Sequence, residues 1–322
     1  MDPLGIVAYG LLFPGLVFLI GYALFFEFVD RKLAARFQSR VGPPLLQPFA
    51  DLVKLLSKED VDTEGSDATA IRAIPILAFA AVATAFLYVP VLGPSPLAFQ
   101  GDLVVVLYLF TLPTILLFLL GWLSRNVFGT IGGTRALTQL FIYEVPLFLV
   151  LLGPAIAAQS WSLSGIAEAQ RASGWAVVAQ PIGFLVALIG LQAKLERAPF
   201  DLPEADTELV AGPWTELTGR KLAMMRLTMD LALVVGSGLV AALFLGGPSV
   251  PWVVEPAWLA AAAGFAAFLG KTLGILVVLA TIRSAMGRIR MDQLDAFGWT
   301  VLTGAGILQI GLVLVLGGGG GG

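Results

Sequence analysis

The chain has 322 residues, is 58% hydrophobic and only 13% charged, and its mean hydropathy of +0.90 lies far above what a soluble domain of this length needs. It contains no Cys and no His, so it holds no thiolate- or imidazole-bound iron–sulfur cluster, haem or zinc, and no His-based catalytic triad. With no phosphate-binding loop or dinucleotide fingerprint either, no catalytic and no metal-ligating residue is expected in this chain.

Eight largely apolar stretches follow in order: Leu4–Phe26, Ile71–Leu92, Leu103–Leu123, Leu137–Ala158, Trp175–Ala193, Leu222–Gly246, Ala257–Ile282 and Trp299–Leu316. At ~1.5 Å per helical residue, about 20 residues cross a hydrocarbon core of ~30 Å. No alternating-strand pattern accompanies them, so they predict an all-α membrane protein of about eight transmembrane helices plus short cytoplasmic amphipathic helices, a single transmembrane helical domain over residues 1–322. The first stretch is too long for a signal-peptide core and lacks a basic leader, which makes it a permanent helix. The glycine run 317–322 is low complexity and is set aside.

Lys and Arg fall almost wholly on one side. Counting Arg72 and Arg226 at the span edges, loops 1–2, 3–4, 5–6 and 7–8 hold seven, two, five and three of the 19, leaving Arg171 opposite and Lys271 inside span seven. The positive-inside rule makes those four loops cytoplasmic and puts both termini on the outer side of the cell (inner) membrane. The outer connections, roughly Gly93–Gly101, Gln159–Gly174 and Gly247–Pro256, are short, whereas the cytoplasmic loops at about 27–70 and 194–221 are long and rich in charge of both signs.

In the first long loop Leu45, Leu46, Phe49, Leu52, Val53 and Leu56 keep to one helical face and Gln47, Asp51, Lys54 and Lys58 to another, which predicts an amphipathic surface helix starting near Pro48. Before it, Gly42-Pro43-Pro44 ends the helix continuing from span one, and Arg31, Lys32, Arg36 and Arg40 form a basic cluster suited to anionic membrane lipid or an acidic protein surface. In the second long loop Asp201 is expected to cap a short helix with Pro203 in its first turn, and Gly212-Pro213 to end it. That helix would place Glu204 and Glu208 on one face, where like charges cost ~0.2–0.5 kcal/mol, with Asp206 beside them. Salt bridges to loop one, or a site that takes up protons, would account for the crowding.

Ionisable groups within spans are costly and usually functional. Glu144 and Asp230 each lie about eight residues, ~12 Å, from the cytoplasmic ends of spans four and six. Lys271, ~18 Å from its end, cannot snorkel out and is expected to pair with Glu144 or Asp230, in a static ion pair or a proton relay, with Gly264, Gly270 and Gly274 letting helices close around it.

Arg36–Asp60, RFQSRVGPPLLQPFADLVKLLSKED, and Arg197–Gly212, RAPFDLPEADTELVAG, followed by Trp214-Thr215-Glu216, resemble the H-subunit family of respiratory complex I and its relatives, the membrane-bound nickel–iron hydrogenases. The resemblance implies an eight-helix membrane coupling and anchor subunit that joins a peripheral iron–sulfur arm to an ion-translocating membrane arm. By resemblance Arg31, Arg36, Gln38, Arg40, Arg197 and Phe200 belong to the interface and its cavity. Asp201, Glu204, Asp206, Glu208 and Glu216 match the acidic path, and Glu144 the family's acid in the fourth span. Asp230 and Lys271 join that path on their membrane position alone.

The resemblance implies no cofactor in this chain, iron–sulfur clusters in partner subunits, and partners comprising peripheral iron–sulfur subunits, a hydrogenase-like large subunit and other membrane-arm subunits; nothing calls for nucleic acid. The compact Arg40-Val41-Gly42-Pro43-Pro44 is similar to the hydrogenase-like branch. Lys194 and Glu196 stand where complex I tends to have Glu and Asn, and Asp30-Arg31-Lys32 where Glu-Arg-Lys is usual. These departures lean toward linking electron transfer to proton or sodium translocation in a hydrogenase-like complex. The alternative is a quinone-binding subunit of a NADH- or ferredoxin-quinone oxidoreductase. A stand-alone secondary ion transporter is disfavoured by the missing internal repeat.

Overall fold

A computed structural model describes residues 3–63, 65–250 and 255–318; of the terminal glycine run, 319–322 lie outside the described residues. Within the described residues fourteen α-helices follow one another: α1 (Pro3–Leu11), α2 (Leu16–Phe37), α3 (Gln47–Ser57), α4 (Ala68–Phe86), α5 (Asp102–Leu123), α6 (Val127–Ala158), α7 (Leu163–Ser173), α8 (Ala176–Ala179), α9 (Pro181–Lys194), α10 (Asp206–Leu209), α11 (Gly219–Phe244), α12 (Ala257–Ala285), α13 (Met291–Ala296) and α14 (Thr303–Gly318). Seven segments of these residues are long and apolar enough to cross a membrane: Val7–Phe37, α4, α5, α6, α11, α12 and Met291–Val315. The 14-residue α9, the part of the fifth apolar run that follows its break at Gln180, is apolar as well but, at about 21 Å, shorter than the ~30 Å core. The chain is an all-α, multi-span membrane protein.

The helix ends differ from the apolar runs for local reasons. The fifth run breaks at Gln180, whose φ of −131° and ψ of 54° are not helical, because the following Pro181 disfavours an α conformation before it and opens α9 instead. The fourth helix starts at Val127, ahead of the expected Leu137, because Asn126 accepts from the Phe128 amide and starts the helix in a stretch too rich in Gly and Thr to register as a span. The last segment starts at Met291 and runs through a π-helical turn at Phe297–Leu302 before α14. The helix from span one does continue to Phe37 and ends before Gly42-Pro43-Pro44, as expected.

Helix α11 is the hub, buried nearly all round and packed against α2, α4, α6, α9 and α12. Because lipid is as apolar as the side chains, close packing rather than water exclusion holds such a bundle. A Cβ on Gly236 would come within 2.3 Å of Leu191 Cδ1 and 3.0 Å of Phe110 Cζ, so the tips of these two side chains fill the space the bare position leaves against α11. Tyr22 of α2 and Thr272 of α12 share a hydrogen bond of 2.7 Å in the same core.

The long loops fold back over one face, hereafter the charged face. Asp60 Oδ1 accepts from the Arg220 amide at 2.7 Å and Lys221 Nζ donates to Asp62 at 2.6 Å, tying the end of loop one to the start of α11. The surface helix forms, with Pro48 in its first turn as expected. It turns Pro48 and Leu55 inward and leaves Leu45, Leu46, Phe49, Val53 and Leu56 exposed, the arrangement of a helix lying in a membrane surface. One expectation fails: Gly270 and Gly274 face open space, and only Gly264 makes a close approach, to the Pro248 carbonyl.

Candidate functional site

On the charged face a cavity of about 620 Å³ opens between α2, α11, the end of α12 and the second long loop. Its walls follow from helical period. Glu27, Arg31, Ala34 and Gln38 fall at i, i+4, i+7 and i+11 on α2, and Arg226, Met229, Asp230 and Leu233 at i, i+3, i+4 and i+7 on α11. Arg283 and Ser284 close it from α12, and Glu196, Arg197, Asp201, Glu204 and Trp214 from the loop. Five carboxylates and four arginines thus share one space.

Two charge clusters organise it. Arg31 bonds Glu27 in its own helix and reaches Asp51 of α3 at 2.8 Å, and this hydrogen bond holds the Asp51 carboxyl below the usual range. Glu27 of α2 and Asp230 of α11 line the same cavity, so two carboxyl groups share this space. In the second cluster the fully buried Asp30 accepts on one oxygen from Arg197 and from Arg283, the latter at 2.6 Å. Among the described residues Asp30 Oδ1, Arg197 Nη1, Trp214 Nε1 and both carboxylate oxygens of Glu196 are buried without a hydrogen-bond partner. Burial, reinforced by Glu204 and opposed by Lys194, pushes the Glu196 carboxyl up to about 8.

Behind Glu196 the polar groups continue into the bundle. Lys194 Nζ, with its side chain 2% exposed, lies 3.4 Å from Glu144 Oε1, which also accepts from Thr111 of α5. The rings of Phe110 and Tyr143 flank that ammonium at 5.0 and 5.4 Å. Gln139 Nε2 donates to the Ala193 carbonyl at 2.8 Å, holding the end of α9 against α6.

The acidic loop is built differently from its reading as a capped helix. Residues 201–205 form turns, and only Asp206–Leu209 is helical, with Ala205 rather than Asp201 at its start. Asp201 instead takes a two-pronged bond from Arg288, at 2.8 and 2.6 Å, so its side chain is turned away from the amides it was expected to cap. Glu208 pairs with Arg135 at 2.7 Å, and this bond lowers its carboxyl below the ordinary value. Glu208 and Asp201 therefore pair with Arg135 of α6 and Arg288 beyond α12, while Arg36 and Arg40 of loop one stand exposed. Glu204 lines the cavity, Glu216 bonds Asn126 and Thr63, and the Asp206 side chain lies outside the described residues.

Phe200 is buried with Leu140, Tyr143 and Leu202, anchoring the loop from below. The loop can lie this low because Gly132 is bare: a Cβ there would meet the Pro203 carbonyl at 2.8 Å and Gly212 Cα at 2.9 Å.

Lys271 does not pair with Glu144 or Asp230. Its ammonium donates to the carbonyls of Leu245, Gly247 and Ser249 at 2.6, 2.8 and 2.7 Å, beneath the Trp175 ring at 4.8 Å, on the face away from the cavity. These carbonyls, at the cap of α11 and in the turn after it, attract the cation and supply the counter-charge as dipoles. Of the expected site residues, Arg31, Gln38, Arg197, Asp201, Glu204 and Asp230 line the cavity; Glu144 stands behind it, and Glu208 and Glu216 beside it. Sequence reasoning missed Glu27, Glu196, Arg226 and Arg283 as cavity residues. Carrying the α2 and α11 period past the apolar runs would have found Glu27 and Arg226, whereas nothing local marks Arg283.

Residues 11–314 match the family described as NADH dehydrogenase. The chain is 34% identical over 305 residues to the NADH-quinone oxidoreductase H-subunit of Syntrophotalea carbinolica, covering 89% of each. It is 35% identical to the protein of that name from Brevibacillus brevis, covering 97% of this chain and 92% of the relative. Among solved structures, a chain of the membrane-bound sulfane sulfur reductase, an archaeal respiratory membrane complex, superposes with a TM-score of 0.87 at 27% identity, over 96% of this chain and 99% of that one.

Proposed function

The chain belongs to the NADH dehydrogenase family, and on that premise we propose that it is the membrane coupling and anchor subunit of a complex-I-like, ion-translocating oxidoreductase. It holds no redox centre and no catalytic residue of its own; iron–sulfur clusters of a peripheral arm sit over the charged face, and other membrane-arm subunits flank the bundle. A change of charge there is answered by protons moving among the cavity carboxylates. The observation that carries this reading is the cavity itself: five acids and four arginines in about 620 Å³, with Glu196 buried, unpartnered and able to hold or release a proton near neutral pH. The charged face is cytoplasmic and both termini outer, which single cysteines placed in this Cys-free chain report by labelling from one side only.

The electron acceptor belongs to the peripheral arm in a hydrogenase- or sulfane-reductase-like assembly, a reading supported by the compact Arg40-Val41-Gly42-Pro43-Pro44 and the extent of the structural match. The names of the sequence relatives favour a second reading, a quinone in the cavity, whose volume lies within the ~300–1,000 Å³ usual for small-molecule sites. A photoreactive quinone analogue on the intact complex separates the two: labelling of α2 or α11 supports the second, and clean protection of both supports the first.

The coupling role is tested by Glu204→Gln in the purified complex reconstituted in vesicles. Proton translocation per electron should fall at least tenfold while the subunits stay together; an unchanged ratio would overturn the assignment.

A further inference from the structure

The Lys194–Glu144 pair is a cation and an anion enclosed by α5, α6 and α9, on the bundle side of Glu196. A pair meant only to hold helices together is best made with short, multiple hydrogen bonds that satisfy every polar atom. This one is a single contact of 3.4 Å, with the remaining surroundings of the ammonium supplied by the faces of Phe110 and Tyr143. A lysine ammonium in such a place is held by one anion, and the neutral amine costs little there once that anion is protonated.

The charged and titratable groups around it are few. From α6 come Glu144 and Tyr143, from α5 the hydroxyl of Thr111, and from the loop beyond α9 the carboxyl of Glu196. Helix α14, also packed on α9, carries no ionisable residue; Arg226 and Asp230 of α11 line the cavity, Arg283 of α12 pairs with Asp30, and Lys271 is at the far face. Glu196 feels two titratable neighbours, Glu204, which shares the cavity wall with it, and the buried Lys194.

Resting on the coupling role above, we propose that Lys194 is a proton-carrying residue that connects Glu196, at the cavity, to Glu144, inside the bundle. The step balances without any other reactant. Lys194 ammonium gives its proton to the Glu144 carboxylate across their contact, leaving an amine and a carboxylic acid. The neutral Glu196 carboxyl then protonates the amine, and Glu196, now a carboxylate, is refilled from the cavity. One proton has advanced from cavity to Glu144 and Lys194 has returned to its starting charge. The buried Glu196 carboxyl, raised to about 8, is protonated at neutral pH and so ready to give.

The test uses the intact complex in vesicles, reading protons moved and electrons transferred together across pH. Lys194→Arg keeps the positive charge but cannot give up its proton. It should lower the proton-to-electron ratio at least tenfold and flatten its pH dependence. A ratio and pH profile equal to wild type would show that only the charge matters and overturn the proposal.

Should the arginine variant fail to assemble, Lys194→Ala is measured with small alkylamines added. Rescue by primary amines, and none by tetramethylammonium, is expected; equal rescue by both overturns it. Glu204→Gln, run alongside, separates the failures: if it uncouples and Lys194→Arg does not, the cavity role stands and the lysine step falls, whereas normal pumping in Glu204→Gln removes the coupling role itself.

Discussion

Asp30→Asn should be among the most destabilising single-atom changes available on the charged face. Asp30 is fully buried and one of its oxygens serves two arginines from distant parts of the chain, Arg197 and Arg283. The amide keeps the shape but removes the charge, leaving the Arg197 guanidinium, 13% exposed, without its anion. Stranding a buried partner costs about 3–5 kcal/mol. Arg283 is 43% exposed, so water screens it and its share is at most about 1 kcal/mol. Denaturation of the purified chain in bicelles should therefore rank Asp30→Asn at about 3–5 kcal/mol and Arg283→Gln at no more than about 1 kcal/mol. The double variant Asp30→Asn with Arg197→Met, which removes the stranded cation, should recover part of the loss. Equal small effects for Asp30→Asn and Arg283→Gln, or a double variant as unstable as the sum of its singles, would refute the reasoning.

Three other outcomes are expected. Glu196 is raised in the fold, from 4.5 to about 8, so across that window the folded chain keeps a proton that the unfolded chain has released, and stability falls as pH rises. Glu196→Gln should remove that slope and match wild type below pH 4.5; melting curves that keep the wild-type slope would contradict it. Lys271→Met orphans three carbonyls and should cost at least about 1–3 kcal/mol while leaving the proton-to-electron ratio unchanged, so a fall in that ratio with intact stability would reinstate a relay there. Asp201→Ala removes both acceptors for Arg288, and deuterium exchange of residues 199–212 should quicken within an otherwise unchanged pattern; no change would mean that Phe200 alone holds the loop.

The bundle was legible because membrane spans are written in composition: apolar runs of fixed length, with arginine and lysine on alternate loops. Helix ends were not, wherever the signal lay in one residue's backbone. Pro181 splits a run that hydropathy treats as continuous, and Asn126 starts a helix ahead of where the apolar residues begin. The acidic loop was legible as unusual but not in its pairing, since Arg135 and Arg288 reach it from 73 and 87 residues away in sequence. Asp30 escaped notice for the same reason: one aspartate among four basic neighbours looks like a surface residue until Arg197 and Arg283 are folded onto it.

The two lysines inside the bundle show why an intramembrane charge must be judged by what answers it. Both lie under an aromatic ring. Lys271 is met by three carbonyl dipoles at and just beyond the end of α11, none of which can accept a proton. Lys194 is met by a single carboxylate, which can be protonated, and beyond it stands another carboxyl already inclined to hold a proton. The same side chain is a bolt in one place and, on the proposal above, a carrier in the other. The partner's chemistry separates them, as does burial, with Lys194 buried and Lys271 half-buried.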